Sequence, residues 1–124
     1  MYELTVTSGF SSAHNLRGYE GACENLHGHN WKVEATIRAQ GLNDIGIALD
    51  FKVLKKELNT IVQRLDHRYL NELIPFDRVN ATAENIARYI FDELSRRLNK
   101  GNIKVACVRV WESEGACAAF LADG

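Results

Sequence analysis

Three of the chain's four histidines, His14, His27 and His29, fall within 16 residues. His27-Gly28-His29 leads directly into an alternating run of apolar and polar residues. A strand that begins at His27 projects both imidazoles from one face, with Cα atoms about 6.5–7 Å apart. Pairing of that strand with the segment ending at His14 brings a third imidazole alongside. Three imidazoles on a rigid sheet, with a fourth position open, is the pattern of a catalytic Zn²⁺ site. The plainer alternative is a set of exposed strand histidines.

Cys23 stands four residues before His27. It can complete a closed Cys-His₃ structural zinc site, or stay out of the metal sphere as a thiolate acid/base, and spacing leaves both open. Asp66-His67 follows the first helical pattern. A carboxylate beside an imidazole fixes its tautomer and raises its basicity, although a helix-end histidine also meets the last carbonyls. Glu112 ends the run Val108-Arg109-Val110-Trp111-Glu112. A carboxylate accepts bidentately from a heterocycle that presents a ring N–H beside an exocyclic NH₂, whereas a turn glutamate is otherwise simply solvated. Arg17, Lys32 and Arg68 are candidate anion contacts by charge and proximity alone.

The elements that must position these groups read strand, strand, helix, helix, strand, strand. Leu4, Val6 and Phe10 give a period of two over residues 2–10, and residues 11–26 read as a loop. Trp31, Val33, Ala35, Ile37 and Ala39 share one face of the second strand. Asp50 is an N-cap for a helix to about Leu65, with Phe51, Leu54, Leu58, Ile61, Val62 and Leu65 on one side. Thr82 caps a second helix that carries Ile86, Ala87, Ile90, Leu94 and Leu98 inward and stops at Gly101. Ile103–Trp111 and Ala116–Leu121 complete the strands. This is an α+β layer: a four-stranded sheet with two helices on one face. Apolar positions on the second face call for another copy of the chain.

With 124 residues, 46% hydrophobic and 25% charged, the chain is one domain, 1–124, with the composition of a soluble globular protein. No apolar run reaches the roughly 20 residues that cross a membrane. A net charge of −1 without basic blocks argues against nucleic acid or an anionic membrane as partner. The start of the chain lacks the pattern of a signal peptide, and three cysteines are an odd count. The expectation is a cytoplasmic protein with free thiols, Cys107 and Cys117 being buried in strands.

Five segments occur in order: Phe10-Ser11-Ser12-Ala13-His14, Cys23-Glu24-Asn25-Leu26-His27-Gly28-His29-Asn30, Leu65-Asp66-His67, Thr82-Ala83-Glu84-Asn85 and Trp111-Glu112-Ser113. Together they resemble the 6-pyruvoyl-tetrahydropterin synthase family over essentially the whole chain. The resemblance implies a tunnelling fold (T-fold), a ββααββ subunit that oligomerises into a barrel as a trimer or hexamer with active sites between subunits. It implies Zn²⁺ on His14, His27 and His29, with Cys23 as the proton-transfer thiol and Asp66 and His67 as its partners. It further implies Glu112 as pterin anchor and 7,8-dihydroneopterin triphosphate as substrate. The three residues between Cys23 and His27 are similar to the bacterial 6-carboxy-tetrahydropterin synthase branch of queuosine biosynthesis; the pyruvoyl-forming enzymes are the alternative. Members often have Pro-Thr where this chain has Ala81-Thr82, a difference that affects only how the helix entry is preset.

Overall fold

The structure is a computed structural model and describes residues 1–18, 21 and 25–123. Four strands, β1 (Tyr2–His14), β2 (His27–Ala39), β3 (Ile103–Ser113) and β4 (Ala116–Leu121), form one antiparallel sheet in sequential order. Two helices, α1 (Phe51–Gln63) and α2 (Ala83–Leu98), lie between β2 and β3 in the chain. The expected ββααββ order is therefore the observed one.

Both helix starts use the predicted caps. Asp50 accepts from the backbone N–H of Lys52 at 2.8 Å, and Thr82 accepts from that of Asn85 at 3.1 Å. Each satisfies a donor that the first turn leaves free. The apolar stripes of α1 and α2 then pack on one face of the sheet. The core joins Leu54, Leu58 and Ile61 to Ile86, Ile90 and Leu94 over Val33, Ala35, Ile37, Val108 and Val110. At the end nearest the histidines, Phe10 stacks on Trp31 with ring centroids 5.8 Å apart. Gly9 leaves room for this close approach of β1 and β2, since a Cβ there would come within 2.9 Å of the Trp31 carbonyl oxygen.

β3 runs to Ser113 rather than Trp111 and α2 ends at Leu98, and two further boundaries that differ from expectation shape the site. β1 does not end at residue 10 but continues to His14, and its register runs unbroken to His14 opposite His27. Its last inward positions hold Ser12 and His14, so the hydrophobic alternation stops while the strand does not. α1 ends at Gln63 rather than Leu65. The chain there tightens into i→i+3 bonds, Leu65 N–H to Val62 at 2.9 Å and Asp66 N–H to Gln63 at 3.3 Å. β1 then takes over the hydrogen bonding: Ser12 Oγ donates to the Leu65 carbonyl, and His67 N–H donates to the Ser11 carbonyl at 2.6 Å.

The face away from the helices is less apolar than expected. Cross-strand pairing places Thr5, Lys32, Glu34, Thr36, Arg38 and Arg109 there, with Cys107, Trp111 and Leu121 as its large apolar members toward β4. Cys107 is half-buried and Cys117 exposed, so neither is the fully buried thiol expected. Among the described residues, β4 and the first part of β1 are open sheet edges, while the end of β1 pairs with residues 66–69 at Ser11 and Ala13. Among the described residues, no helix is long and apolar enough to cross a membrane.

Candidate functional site

The β1–β2 register sets the site. His14 pairs with His27, and Ser12 with His29, so the three imidazoles rise from one end of the sheet on the helix-covered face. Their ring centroids lie 4.5 Å apart for His14 and His27, 4.8 Å for His27 and His29, and 5.1 Å for His14 and His29. One ligand atom from each, together with a carboxylate oxygen of Glu112 at the end of β3, all lie within 4.8 Å of one another. Trp31 braces the group from beneath, its ring edge-on to His14 at 5.0 Å and to His29 at 5.2 Å.

The outer hydrogen bonds decide what the rings can do. His14 Nδ1 lies 2.7 Å from the Ala81 carbonyl, and His27 Nδ1 lies 2.7 Å from the Asn25 carbonyl. A carbonyl only accepts, so in both rings Nδ1 carries a proton, and the neutral tautomer this selects has its lone pair on Nε2. This backbone anchoring of one nitrogen, with the other free, is how metal-bound histidines are held. His14 is 1% exposed, and its Nε2 is buried without a hydrogen-bond partner among the described residues. His29 Nε2 is likewise unpartnered: Glu112 Oε1 comes within 3.1 Å, but out of line for a hydrogen bond. Burial holds both His14 and His29 below the ordinary imidazole pKa; the Ala81 bond opposes this for His14, and the Glu112 charge opposes it for His29. Neutral imidazoles with orphaned nitrogens around one point fit a borderline-soft divalent cation.

Glu112 faces two ways. Besides the histidines, it lines a pocket of about 290 Å³ with Ala83 and Glu84 at the start of α2 and with Ser113, Ala116 and Ala118 of the β3–β4 hairpin. Two carboxylates on one small pocket suit a ligand rich in N–H donors.

Asp66 and His67 lie beside Ser11 at the outer edge of β1, three residues before His14. Asp66 accepts from Ser11 N–H at 2.9 Å and from His67 Nδ1 at 2.9 Å. The Ser11 bond first, and the His67 bond second, hold its carboxyl below the usual carboxylate range. His67 has φ +54°, and its side chain is 82% exposed. The left-handed backbone is held by the bond to Ser11, and it presents an oriented imidazole to solvent. Cys23 lies outside the described residues.

Among the candidate anion contacts, Arg17 is committed to the fold: its Nη2 donates to the carbonyls of Phe76 at 2.6 Å and Val79 at 3.3 Å. Lys32 sits 5.7 Å over the Trp111 ring, on the sheet face opposite the histidines. The contacts that sequence reasoning missed are the Ala81 and Asn25 carbonyls, which carry no side-chain signal, and Trp31, which reads simply as core.

The family model described as 6-pyruvoyl tetrahydropterin synthase matches residues 3–123. A Synechocystis protein named 6-carboxy-5,6,7,8-tetrahydropterin synthase is 37% identical over 99 residues, covering 76% of this chain and 75% of its own. A Pyrococcus furiosus protein named dihydroneopterin monophosphate aldolase is 34% identical over 109 residues, covering 88% of each. The solved Caenorhabditis elegans 6-pyruvoyl tetrahydropterin synthase superposes with a TM-score of 0.86 at 24% identity, covering 98% of this chain and 96% of its own.

Proposed function

The chain belongs to the 6-pyruvoyl tetrahydropterin synthase family of enzymes, and from that premise we propose that it is a zinc-dependent 6-carboxy-5,6,7,8-tetrahydropterin synthase. It acts on 7,8-dihydroneopterin triphosphate and releases triphosphate and acetaldehyde. The balance consumes one water. The ring gains two hydrogens as the side-chain carbon becomes a carboxylate, so the redox change is internal to the substrate.

The observation that carries this reading is the set of inward Nε2 atoms of His14, His27 and His29, two of them fixed by Nδ1–H bonds to carbonyls, beside a carboxylate. These residues would hold Zn²⁺, and a bound Zn²⁺ lowers the pKa of side-chain hydroxyls as it does that of water. Glu112 accepts from the pterin's ring N–H and amino group and so orients the ring. Cys23, as thiolate, takes the proton from the substrate side chain. Asp66 holds Nδ1 of His67, which leaves Nε2 free to exchange protons. The open edges of β1 and β4 support pairing between copies, with a trimer or hexamer that sets Asp66-His67 of one copy at the site of another.

The three-residue spacer between Cys23 and His27 favours the carboxy product over the pyruvoyl one. The aldolase-named relative makes retro-aldol cleavage of dihydroneopterin monophosphate the second reading. The test is incubation of the zinc-loaded full chain with each substrate, with products identified by mass spectrometry. Carboxy-tetrahydropterin together with acetaldehyde supports the proposal. A pyruvoyl product, or turnover of the monophosphate alone, replaces it.

A further inference from the structure

The backbone just past His14 is gripped by two asparagine side chains from distant parts of the chain. Asn71 accepts from Asn15 N–H at 3.2 Å and donates to the Asn15 carbonyl at 3.0 Å. Asn80 accepts from Arg17 N–H at 3.0 Å and donates to the Arg17 carbonyl at 2.9 Å. Each side-chain amide thus meets both backbone groups of one residue, as a residue of a neighbouring antiparallel strand does. The gripped residues alternate, as paired strand residues do. They begin where the β1–β2 ladder ends, at His14 opposite His27.

Both grips are reinforced. Asn71 is buried at 8% exposure, and the residue it grips is tied a second time, the Tyr69 hydroxyl donating to Asn15 Oδ1 at 2.5 Å. Asn85 Nδ2 donates to the Asn80 carbonyl at 2.9 Å from the first turn of α2. Asn80 immediately precedes Ala81, whose carbonyl receives the Nδ1–H of His14. A closed circuit results. It runs from the His14 ring to Ala81, along the chain to Asn80, across to Arg17, and back along the backbone to His14.

We propose that Asn71 and Asn80 are positioning residues for His14, holding the strand end and the Ala81 carbonyl together so that Nε2 keeps its direction into the cluster. This rests on the reading that the cluster binds a metal ion. Without the clamps, residues 15–17 have no strand partner among the described residues, the His14–Ala81 bond joins two loosened segments, and the ring no longer arrives pre-oriented. Outer contacts of this kind contribute on the order of 10–100-fold to metal affinity.

The test titrates Zn²⁺ and Co²⁺ into the metal-free full chain of the wild type, Asn71→Ala and Asn80→Ala, and Asn80→Ala combined with His14→Ala. Asn71→Asp, which keeps the acceptor for Asn15 N–H, replaces Asn71→Ala if that variant does not fold. The expected result is a roughly 10–100-fold weaker metal affinity with an altered cobalt d–d spectrum in the folded single variants. Within the His14→Ala background, Asn80→Ala should have no further effect on the residual cobalt affinity. Unchanged affinity and spectrum in a folded Asn80→Ala protein overturn the proposal, as does an equal loss with His14 absent. A wild type that takes up neither ion overturns the metal reading itself, and the positioning role with it.

Discussion

The His14 imidazole donates through Nδ1 to the carbonyl of Ala81, 2.7 Å away and 67 residues along the chain. The bond ties the last residue of β1 to the residue before the cap of α2, and it fixes the tautomer of the most buried histidine of the cluster. The acceptor is a backbone carbonyl, so the bond does not depend on which side chain stands at position 81.

Zinc uptake should depend on each of the three clustered imidazoles, because loss of one leaves too few ligands. His27→Ala and His29→Ala should bind well below one zinc per chain. His67→Ala should stay fully loaded, since its ring stands apart beside Ser11. Metal analysis of the purified variants checks this, and full zinc in His29→Ala rejects the ligand set.

Glu112 touches both the cluster and the adjoining pocket, and Glu112→Gln separates its two possible duties. The amide keeps the size but presents a donor where an acceptor is needed. A lost charged hydrogen bond costs about 1.5–3 kcal/mol, so pterin affinity should fall roughly 10- to 150-fold while zinc content and melting hold. Calorimetric titration with a pterin analogue measures this. A variant that loses zinc instead makes Glu112 a ligand.

Much of this arrangement is legible along the chain because it repeats with a period. Trp31 to Ala39 alternate, the stripes of α1 and α2 recur at helical spacing, and Asp50 and Thr82 stand where caps belong. The failures lie where polar side chains occupy inward positions. Ser12 and His14 face in, so the alternation of β1 reads as finished at Phe10. Asn71 and Asn80 act by pairing with backbone 56 and 63 residues away, and nothing local to either marks it. The histidine cluster was visible in outline because two of its members are spaced as a strand pair. Its outer hydrogen bonds were not visible, because they end on carbonyls.

Asp66 gives the fold an acid-sensitive contact. Its carboxyl is depressed in the folded chain, chiefly by Ser11 N–H and then by His67. A depressed carboxyl adds stability above its unfolded value, near pH 4, and that stability fades as pH falls through the lower folded value. Metal-free Asp66→Asn should therefore be less stable than wild type at pH 6, with the gap closing below about pH 4. Urea midpoints across pH 3–7 test this; a gap that stays constant removes the carboxylate from the contact.

Assembly should accompany activity. Among the described residues, β4 and the first part of β1 are open sheet edges, and the Asp66-His67 pair sits at the outer edge of β1, where a second copy can meet it. Sedimentation should give a particle whose subunit number is a multiple of three. An active monomer or dimer contradicts this.

Cys23 separates a structural from a catalytic centre most sharply. Among the described residues, the group nearest the three imidazoles with a free ligand atom is the Glu112 carboxylate, so the cluster does not need a thiolate to reach four candidate ligands. If Cys23 nevertheless binds the metal, Cys23→Ala should lose zinc and melt earlier, since structural zinc contributes directly to folding. If it is the proton-transfer thiol, zinc content and melting should hold while turnover falls by about 10²–10⁴, the usual contribution of a positioned acid or base. The expected outcome is the second. A nearby cation lowers a thiol pKa, so iodoacetamide should inactivate the wild type at a rate that follows thiolate formation, with bound pterin protecting it. A Cys23→Ala protein that loses its zinc, or one that keeps near-normal turnover, rejects the catalytic assignment.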